Sequence, residues 1–364
     1  MTAALFDRAA HALVRAETAI RLLDRVVPTN ARGETERLRG ALARSERVEP
    51  RWVYAPRPVL TGLRRALAEL RARLLSEGAL GRQYAARAEE LELEAALAEC
   101  VGAPEFGARS RLRFPEPAAP CAADADALAE RFLASLPPRD AEPGIPSDAA
   151  HPESLASVLS AWISARKLPV RVELRPALGS VAAAGDGVVL VRPGVMLRAA
   201  QARRIALHEL EAHVVPRLAA RGESCGLFLC GAAGSAEEEE GRALLIEERA
   251  GLLDATRRRE LGLRHIAARA VRAGADLEEL LRELRARGAE RDEALEVALR
   301  ASRGGGLARE IVYLPAYLRL REAFARQPAL ETFFERGRIS LAALSALPRE
   351  VLRDFQARST TTGA

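Results

Sequence analysis

The chain has 364 residues, of which 49% are hydrophobic and 29% are charged; this is ordinary for a globular protein and long enough for two or three domains or one elaborated domain. Its 55 basic and 50 acidic residues nearly balance at a net charge of +5 and are interleaved, so we expect no nucleic-acid partner. Four cysteines are too few for a disulfide-stapled fold, and no apolar run is long enough to cross a bilayer. Asp7 and Arg8 interrupt the apolar residues of MTAALFDRAAHALVRAE, which argues against a secretory signal and favours a cytoplasmic protein with reduced thiols.

Residues 1–150 are predicted to form an N-terminal helical region with proline-rich linkers. The segment GRQYAARAEELELEAALAE has a helical pattern, whereas VVPTNARGETERLRG shows no helical periodicity, and prolines favour an extended VEPRWVYAPRP. The breaker-rich segment LPPRDAEPGIPSDAAHPES predicts a boundary near residue 150. A further helix is predicted from apolar residues at three- and four-residue steps, namely Leu60, Leu63, Leu67, Leu70 and Leu74.

Residues 151–364 begin with a helix in SLASVLSAWISARK and then change character. The alternation in PVRVELRP predicts a half-buried strand, and SVAAAGDGVVLVRPG predicts a hairpin whose second strand is Val188–Val191. A helix of about 25 residues should then carry ALHELEAHVV, and most of the remainder is helical, with Asp276 as an N-cap. The predicted fold class is α+β, mostly helical, with a small β-sheet and an active-site helix.

The stretch HELEAH, residues 208–213, is a metal-site motif with unusual spacing. In a regular α-helix, residues five apart point roughly 140° away from each other, so His208 and His213 would not face one ion, and a simple Glu209–His213 pair is the alternative. Pro216 cannot donate a hydrogen bond to the Ala212 carbonyl, so the helical ladder is interrupted there. A π-bulge would bring residues five apart onto the same side, and we predict one between His208 and His213.

A zinc site also needs a third protein ligand from further along the chain. The acidic run Glu237–Glu240 beside Gly241 is expected to be a solvated loop. Glu247 and Glu248 instead lie in the mostly apolar segment RALLIEERAGLLDA, where a buried acid must be paired, protonated or metal-bound. The sequence therefore favours one of these two as the third ligand.

The pair HELEAH and IEERAG resembles the H-E-x-x-x-H and E-E-G-L-A motifs of the microtubule-associated tyrosine carboxypeptidases, a family with bacterial relatives named for a QEGLA motif. Other blocks fit as well: VVPTNARGETERLRG with EPRWVYAP, RASRGGG before REIVYLPAYLRL, and FFERGRISLAAL. The resemblance covers residues 20–56 and 155–350 in scattered blocks, and the two metal motifs in order make it fairly specific.

The resemblance implies a zincin-like catalytic region at residues 151–364 that binds Zn²⁺ through His208 and His213. The glutamate before the family's glycine is the third ligand, which corresponds to Glu248, with Glu247 as the backup. Glu209 would activate a zinc-bound water, and the implied reaction removes the C-terminal residue of a protein or peptide tail. The match departs from the family at Arg249, which stands where the family has glycine.

A carboxypeptidase must also bind a terminal carboxylate, for which the bidentate fork of arginine is well suited. Arg303, in the glycine-rich ASRGGG, is the first candidate, and a surface arginine on a flexible loop is the alternative. Tyr313 could donate a hydrogen bond to the oxyanion or pack in the core. An extended peptide could pair along the edge of the strand Val188–Val191.

Two functions from other classes remain open at this point. One is a non-catalytic, metal-binding regulatory protein of the same fold. The other is an arginine-rich interaction module whose N-terminal helices bind acidic polymers. Within the enzyme class, an endopeptidase is the nearest variant, and the sequence predicts no oligomeric state.

Overall fold

The protein is mostly helical, with two very small β-sheets. A computed structural model describes residues 2–135 and 143–353, and 66% of the structure is helical. The predicted fold class, α+β and mostly helical, is therefore confirmed. No helix in these two ranges is both long and apolar enough to span a membrane.

Eight helices precede the three-stranded sheet in the described ranges. They are α1 (Thr2–Ile20), α2 (Leu22–Arg25), α3 (Ala31–Ala43), α4 (Thr61–Leu74), α5 (Gly78–Ala98), α6 (Phe106–Arg113), α7 (Ala119–Leu133) and α8 (Leu155–Ala165). The predicted helix at Leu60–Leu74 is confirmed as α4, which buries Leu67 and Leu74 and packs along α5.

The prediction that VVPTNARGETERLRG is irregular was wrong, because α3 covers most of it. This helix buries only Leu38, Ala41 and Glu34, so its apolar pattern is weak. Glu34 accepts a hydrogen bond from the Arg51 backbone N–H at 2.6 Å and pairs with Arg37. The helix is thus stabilised by a polar anchor to the following extended segment, which hydrophobic periodicity does not detect.

The sheets lie directly before the motif-bearing helix. A two-stranded antiparallel sheet joins β1 (Ile145–Pro146) to β5 (Met196–Leu197). The other sheet has the order β2-β4-β3, with β2 (Arg171–Leu174) parallel and β3 (Ala182–Gly185) antiparallel to β4 (Val188–Val191). The predicted hairpin is confirmed as β3 and β4.

The expectation that a peptide pairs along the edge of Val188–Val191 was wrong. Both edges of β4 are occupied, by β2 on one side and β3 on the other. The outer edge of this sheet that faces the motif-bearing helix belongs to β3, which contacts that helix directly.

The remaining described elements are helical. They are α9 (Ala199–Leu207), a π-helix (His208–Val214), α10 (Val215–Ala219), α11 (Leu227–Cys230), α12 (Ser235–Arg249), α13 (Ala255–Ala273), α14 (Leu277–Ala286), α15 (Arg291–Ala301), α16 (Arg303–Gly306), α17 (Tyr313–Arg326), α18 (Glu331–Glu335) and α19 (Leu341–Leu344), with 3₁₀ turns at Ala220–Gly222, Arg309–Val312 and Pro328–Leu330. Asp276 caps α14 as predicted, accepting a hydrogen bond from the Glu279 N–H.

One side of the motif-bearing helix packs into a hydrophobic core. Leu210 and Val214 of the π-helix pack into a core formed by α8, α9 and the sheet. The largest core draws residues from both sides of residue 150, from Ala9 to Val351, so its packing crosses the predicted boundary. The boundary near residue 150 itself stays a prediction.

Candidate metal centre

The predicted π-bulge is confirmed as a π-helix that begins at His208 and ends at Val214. Pro216 lies at the start of the next α-helix, where its missing N–H removes the donor that Ala212 would need in a regular helix. The wider turn brings His208 and His213 together, with ring centroids 5.2 Å apart and ring planes tilted by 57°. The five-residue spacing is therefore compatible with one shared ion.

Glu240, from α12, completes the cluster. Its Oε2 lies 3.5 Å from His208 Nε2, and ligand atoms of His208, His213 and Glu240 all lie within 4.8 Å of one another. Two imidazoles and a carboxylate are a donor set that suits zinc and other first-row divalent metals. This group could hold a metal ion.

The structure does not bring Glu248 to the two histidines. Its Oε1 accepts a hydrogen bond from the Tyr317 hydroxyl at 2.8 Å. Arg249, which the sequence placed beside the ligand, is half exposed and pairs with Glu331. The third position of the cluster belongs instead to Glu240, eight residues earlier on the same helix.

A signal for Glu240 was present in the sequence. Residues 239–243 read EEGRA, which matches E-E-G-L-A at four of five positions, whereas IEERAG does not place a glycine after the glutamate. The glycine has a steric reason: a Cβ on Gly241 would lie 2.6 Å from the backbone carbon of Ala316 in α17. Only glycine lets α12 pack this closely at the position after Glu240.

Glu247, the backup ligand, contacts His208 from the other side of its ring. His208 Nδ1 lies 2.8 Å from Glu247 Oε1, and Glu247 is fully buried. Arg257 and Arg204 approach the same carboxylate at 3.0 and 3.3 Å. Burial raises the pKa of Glu247, but the two guanidinium groups and His208 outweigh it and hold the pKa below its usual range. Glu247 is thus a buried carboxylate that fixes the His208 ring orientation.

Arg309 pairs with the outer oxygen of Glu240. Its Nη2 lies 3.2 Å from Glu240 Oε1, and its Nη1 donates to the Tyr313 hydroxyl at 3.3 Å. Tyr313 is buried, and burial raises its pKa to about 12. Tyr313 is therefore packed in the core, and among the described residues its hydroxyl is connected to the cluster only through Arg309.

Glu209 is buried beside the cluster and is fixed to the sheet. Its Oε2 accepts a hydrogen bond from the Ala184 N–H, on β3, at 2.8 Å. Burial raises the pKa of Glu209, and the nearby positive charge of His208 opposes that shift. A carboxylate of raised pKa in this position can exchange a proton near neutral pH more readily than an exposed one.

The two histidines respond differently to their surroundings. Burial lowers the pKa of His213 to about 4, so its ring stays neutral and keeps a lone pair for a metal. Burial lowers the pKa of His208 as well, but Glu240 and Glu247 reverse the shift and raise it to about 9. A metal ion at His208 would therefore have to displace a proton.

His213 supplies a test of whether a metal fits. Within the described part of the chain, its Nδ1 is buried and has no hydrogen-bond partner. A buried polar atom of this kind is costly unless something satisfies it. The donor set and the orientation of His208 by Glu247 agree with this observation, so the residues present fit a bound metal.

Arg303 contacts a different part of the molecule. Its Nη2 donates to the Gly179 carbonyl at 2.6 Å, in the loop that leads into β3. Burial lowers the pKa of Arg303 to about 10, and the nearby Arg300 acts in the same direction while Glu310 opposes it. None of its described hydrogen bonds or ion pairs is with the metal-binding cluster.

The acidic run Glu237–Glu240 is not a solvated loop, as the sequence suggested, but the first turns of α12. Glu237, Glu238 and Glu239 are each less than 9% exposed. Each residue of the run contacts a different part of the chain. The partners are Arg113 for Glu237, the Leu341 N–H for Glu238, Arg338 for Glu239 and Arg309 for Glu240. The ligand position is therefore fixed by contacts from several directions.

Comparison with known proteins gives a family for this fold and site. The family model described as microtubule-associated tyrosine carboxypeptidase matches residues 42–360, which is most of the chain and includes every residue of the cluster. No curated protein and no solved structure gives a significant match. The extent of the family match shows that the chain belongs to the microtubule-associated tyrosine carboxypeptidase family.

Proposed function

We propose that this protein is a zinc-dependent metallocarboxypeptidase that removes the C-terminal residue of a protein or peptide. Family membership implies a carboxypeptidase. The observation that carries the metal-dependent mechanism is the convergence of His208, His213 and Glu240 within 4.8 Å, beside the buried carboxylate of Glu209. The proposal takes only the reaction class, removal of a C-terminal residue, from the family description, and it names no preferred residue.

The proposed ligands are His208, His213 and Glu240. A zinc ion held there would supply Lewis acidity and lower the pKa of a water molecule toward neutrality. Glu247 would hold His208 through Nδ1, so that Nε2 faces the ion, and Arg309 would hold Glu240 through its outer oxygen.

Glu209 is the proposed general base and acid. The Ala184 N–H binds Oε2, which leaves Oε1 to accept a proton from the attacking water and then deliver it to the nitrogen of the leaving residue. Because burial raises the pKa of Glu209, both transfers are matched to pH values nearer neutrality than for an exposed glutamate.

The test is mass spectrometry of a peptide library with varied C-termini, incubated with zinc-loaded protein. A carboxypeptidase shortens peptides from one end only and spares the same peptides with an amidated C-terminus, whereas an endopeptidase cleaves both. The variant Glu209→Gln should keep zinc and lose about 10²–10⁴-fold in turnover. Hydrolysis that survives this substitution would exclude Glu209 as the base. Zinc binding without cleavage of any peptide by the wild type would favour a non-catalytic, metal-binding role.

A further inference from the structure

Arg217 lies next to the site but is neither a proposed metal ligand nor the proposed base. It is in α10, four residues after His213, and its Nη1 donates to the Ala184 carbonyl at 2.9 Å. The N–H of the same Ala184 binds the Glu209 carboxylate at 2.8 Å. One residue of the edge strand β3 therefore touches both the proposed base and this guanidinium.

The guanidinium of Arg217 has unused donors. Throughout residues 2–135 and 143–353, no acceptor contacts its Nε, which is shielded from water, and no carboxylate forms an ion pair with the side chain. Among the other cations around the cluster, Arg309, Arg204 and Arg257 each bind a glutamate. Arg242 of α12 resembles Arg217 in that it donates to a backbone carbonyl, that of Glu211, and its buried Nε has no acceptor, but it is itself buried. An N–H group that is shielded from water and has no acceptor is costly unless a ligand accepts a hydrogen bond from it.

The free donors are the ones that a carboxylate needs. With Nη1 engaged by Ala184, Nε and Nη2 remain, and these two N–H groups form the parallel fork that binds a carboxylate in a bidentate manner. Nε is shielded from water but Nη2 is not, and the side chain as a whole is only partly buried, so we expect a carboxylate to approach the fork from the Nη2 side.

A residue that binds the terminal carboxylate must also lie close to the reacting groups. In a carboxypeptidase the terminal carboxylate lies one residue beyond the scissile bond, a span of about 3.3–3.6 Å in an extended chain. Burial is the main influence on the pKa of Glu209 and of His213, and the charge of Arg217 acts on both, so its guanidinium is within electrostatic range of the reacting centre.

We propose that Arg217 binds the α-carboxylate of the substrate and so makes the enzyme an exopeptidase. This inference rests on the proposed function and assigns the role for which the sequence suggested Arg303. Arg303 donates its described hydrogen bond to the Gly179 carbonyl, away from the cluster. Arg217 uses only Nη1 for Ala184, so Nε and Nη2 have no acceptor among the described residues.

The test measures binding rather than turnover, in a zinc-loaded Glu209→Gln background. The probes are fluorescent pentapeptides Ala-Ala-Ala-Ala-Xaa, with Xaa as Tyr, Leu, Glu or Arg, each as the free acid and as the amide. The background protein should bind its preferred acid about 10- to 100-fold more tightly than the amide, as expected for hydrogen bonds to a charged group. Adding Arg217→Gln should abolish that preference while zinc content and melting temperature stay unchanged.

Two further variants make the result specific. Arg221→Gln removes the same charge one turn later, from a half-exposed arginine paired with Asp186, and should keep the acid preference. Arg217→Lys keeps a cation and a donor for Ala184 but lacks the fork, so it should lose most of the preference even where the glutamine variant folds poorly. An acid preference that persists in both Arg217 variants, or that is absent from the background protein, overturns the inference. Failure of the wild type to cleave any peptide would instead reject the proposed function, while the binding comparison still decides the role of Arg217.

Discussion

Replacing Glu240 by glutamine tests the assignment of the third ligand, where the first mapping from sequence and the structure disagree. Glutamine keeps the shape of the side chain but removes the negative charge that lies 3.5 Å from His208 Nε2 and 3.2 Å from Arg309 Nη2. The metal would then lose an anionic ligand, and Arg309 would keep an uncompensated charge beside it.

The size of the effect follows from the position of Glu240 in the cluster. Substitution of residues that only support a metal ligand costs about 10- to 100-fold in metal affinity. Substitution of a ligand itself should lower the affinity by at least the upper end of that range. We therefore expect zinc affinity to fall at least about 100-fold, or about 2.7 kcal/mol. Competition with a chromophoric chelator measures this directly on the folded protein.

Glu248→Gln is the matched control, eight positions along the same helix. Its carboxylate accepts only the Tyr317 hydroxyl among the described contacts, and a glutamine oxygen can accept the same hydrogen bond. Zinc affinity should stay within about threefold of the wild type, as for substitutions away from a site. Loss of zinc in the Glu248 variant together with retention in the Glu240 variant would refute the reasoning and restore the first mapping.

Three further substitutions test the surroundings of the site. Glu247→Gln should lower zinc affinity about 10- to 100-fold, measured by chelator competition. It should also lower the free energy of unfolding by about 3–5 kcal/mol in urea denaturation, because the buried Arg204 loses its ion-pair partner and Arg257 keeps only Glu260. Gly241→Ala should cost about 1–3 kcal/mol in urea denaturation because the new Cβ would meet backbone at 2.6 Å, whereas Gly33→Ala, in open space on α3, should be neutral or slightly stabilising. Burial raises the pKa of Glu238 from 4.5 to about 7. Ionisation of Glu238 therefore lowers the free energy of unfolding; this loss is absent below pH 4.5 and complete above about pH 7. Glu238→Gln should therefore be more stable than the wild type by about 1–3 kcal/mol at pH 8 and equal to it at pH 4, and equal stability at both pH values would contradict this prediction.

Features that depend on neighbouring residues could be predicted from the sequence. The π-helix followed from the five-residue spacing of His208 and His213 together with Pro216, since a missing backbone donor and two separated imidazoles call for the same distortion. The hairpin of β3 and β4 followed from alternation and a glycine turn. Each of these predictions rests on one short continuous stretch of sequence, residues 208–216 for the π-helix and residues 180–194 for the hairpin.

The acidic run was expected to be solvated, and its EEGRA match was passed over, because the burial of the run depends on distant residues. Glu237 pairs with Arg113, 124 positions earlier, and Glu238 binds the N–H of Leu341, 103 positions later. A run of four glutamates has no apolar pattern, so only these partners reveal that it is buried. The buried segment RALLIEERAG was more conspicuous, and its Glu247 does contact the site, although through the far side of His208.

The acidic run also explains how a ligand from α12 is held opposite the π-helix. A metal site needs its ligands fixed in position, and one carboxylate on a helix would otherwise move with that helix. Glu237 ties α12 to α6, Glu238 ties it to the start of α19, and Glu239 lies 3.5 Å from Arg338, which also binds Glu17 of α1. Helices on both sides of residue 150 therefore contribute to the position of Glu240. Because the contacts of Glu237 with Arg113 and of Glu239 with Arg338 are buried ion pairs, removing one partner leaves an unpaired charge near the ligand. We therefore expect substitution of Arg113 or Arg338 to lower metal affinity as well as stability.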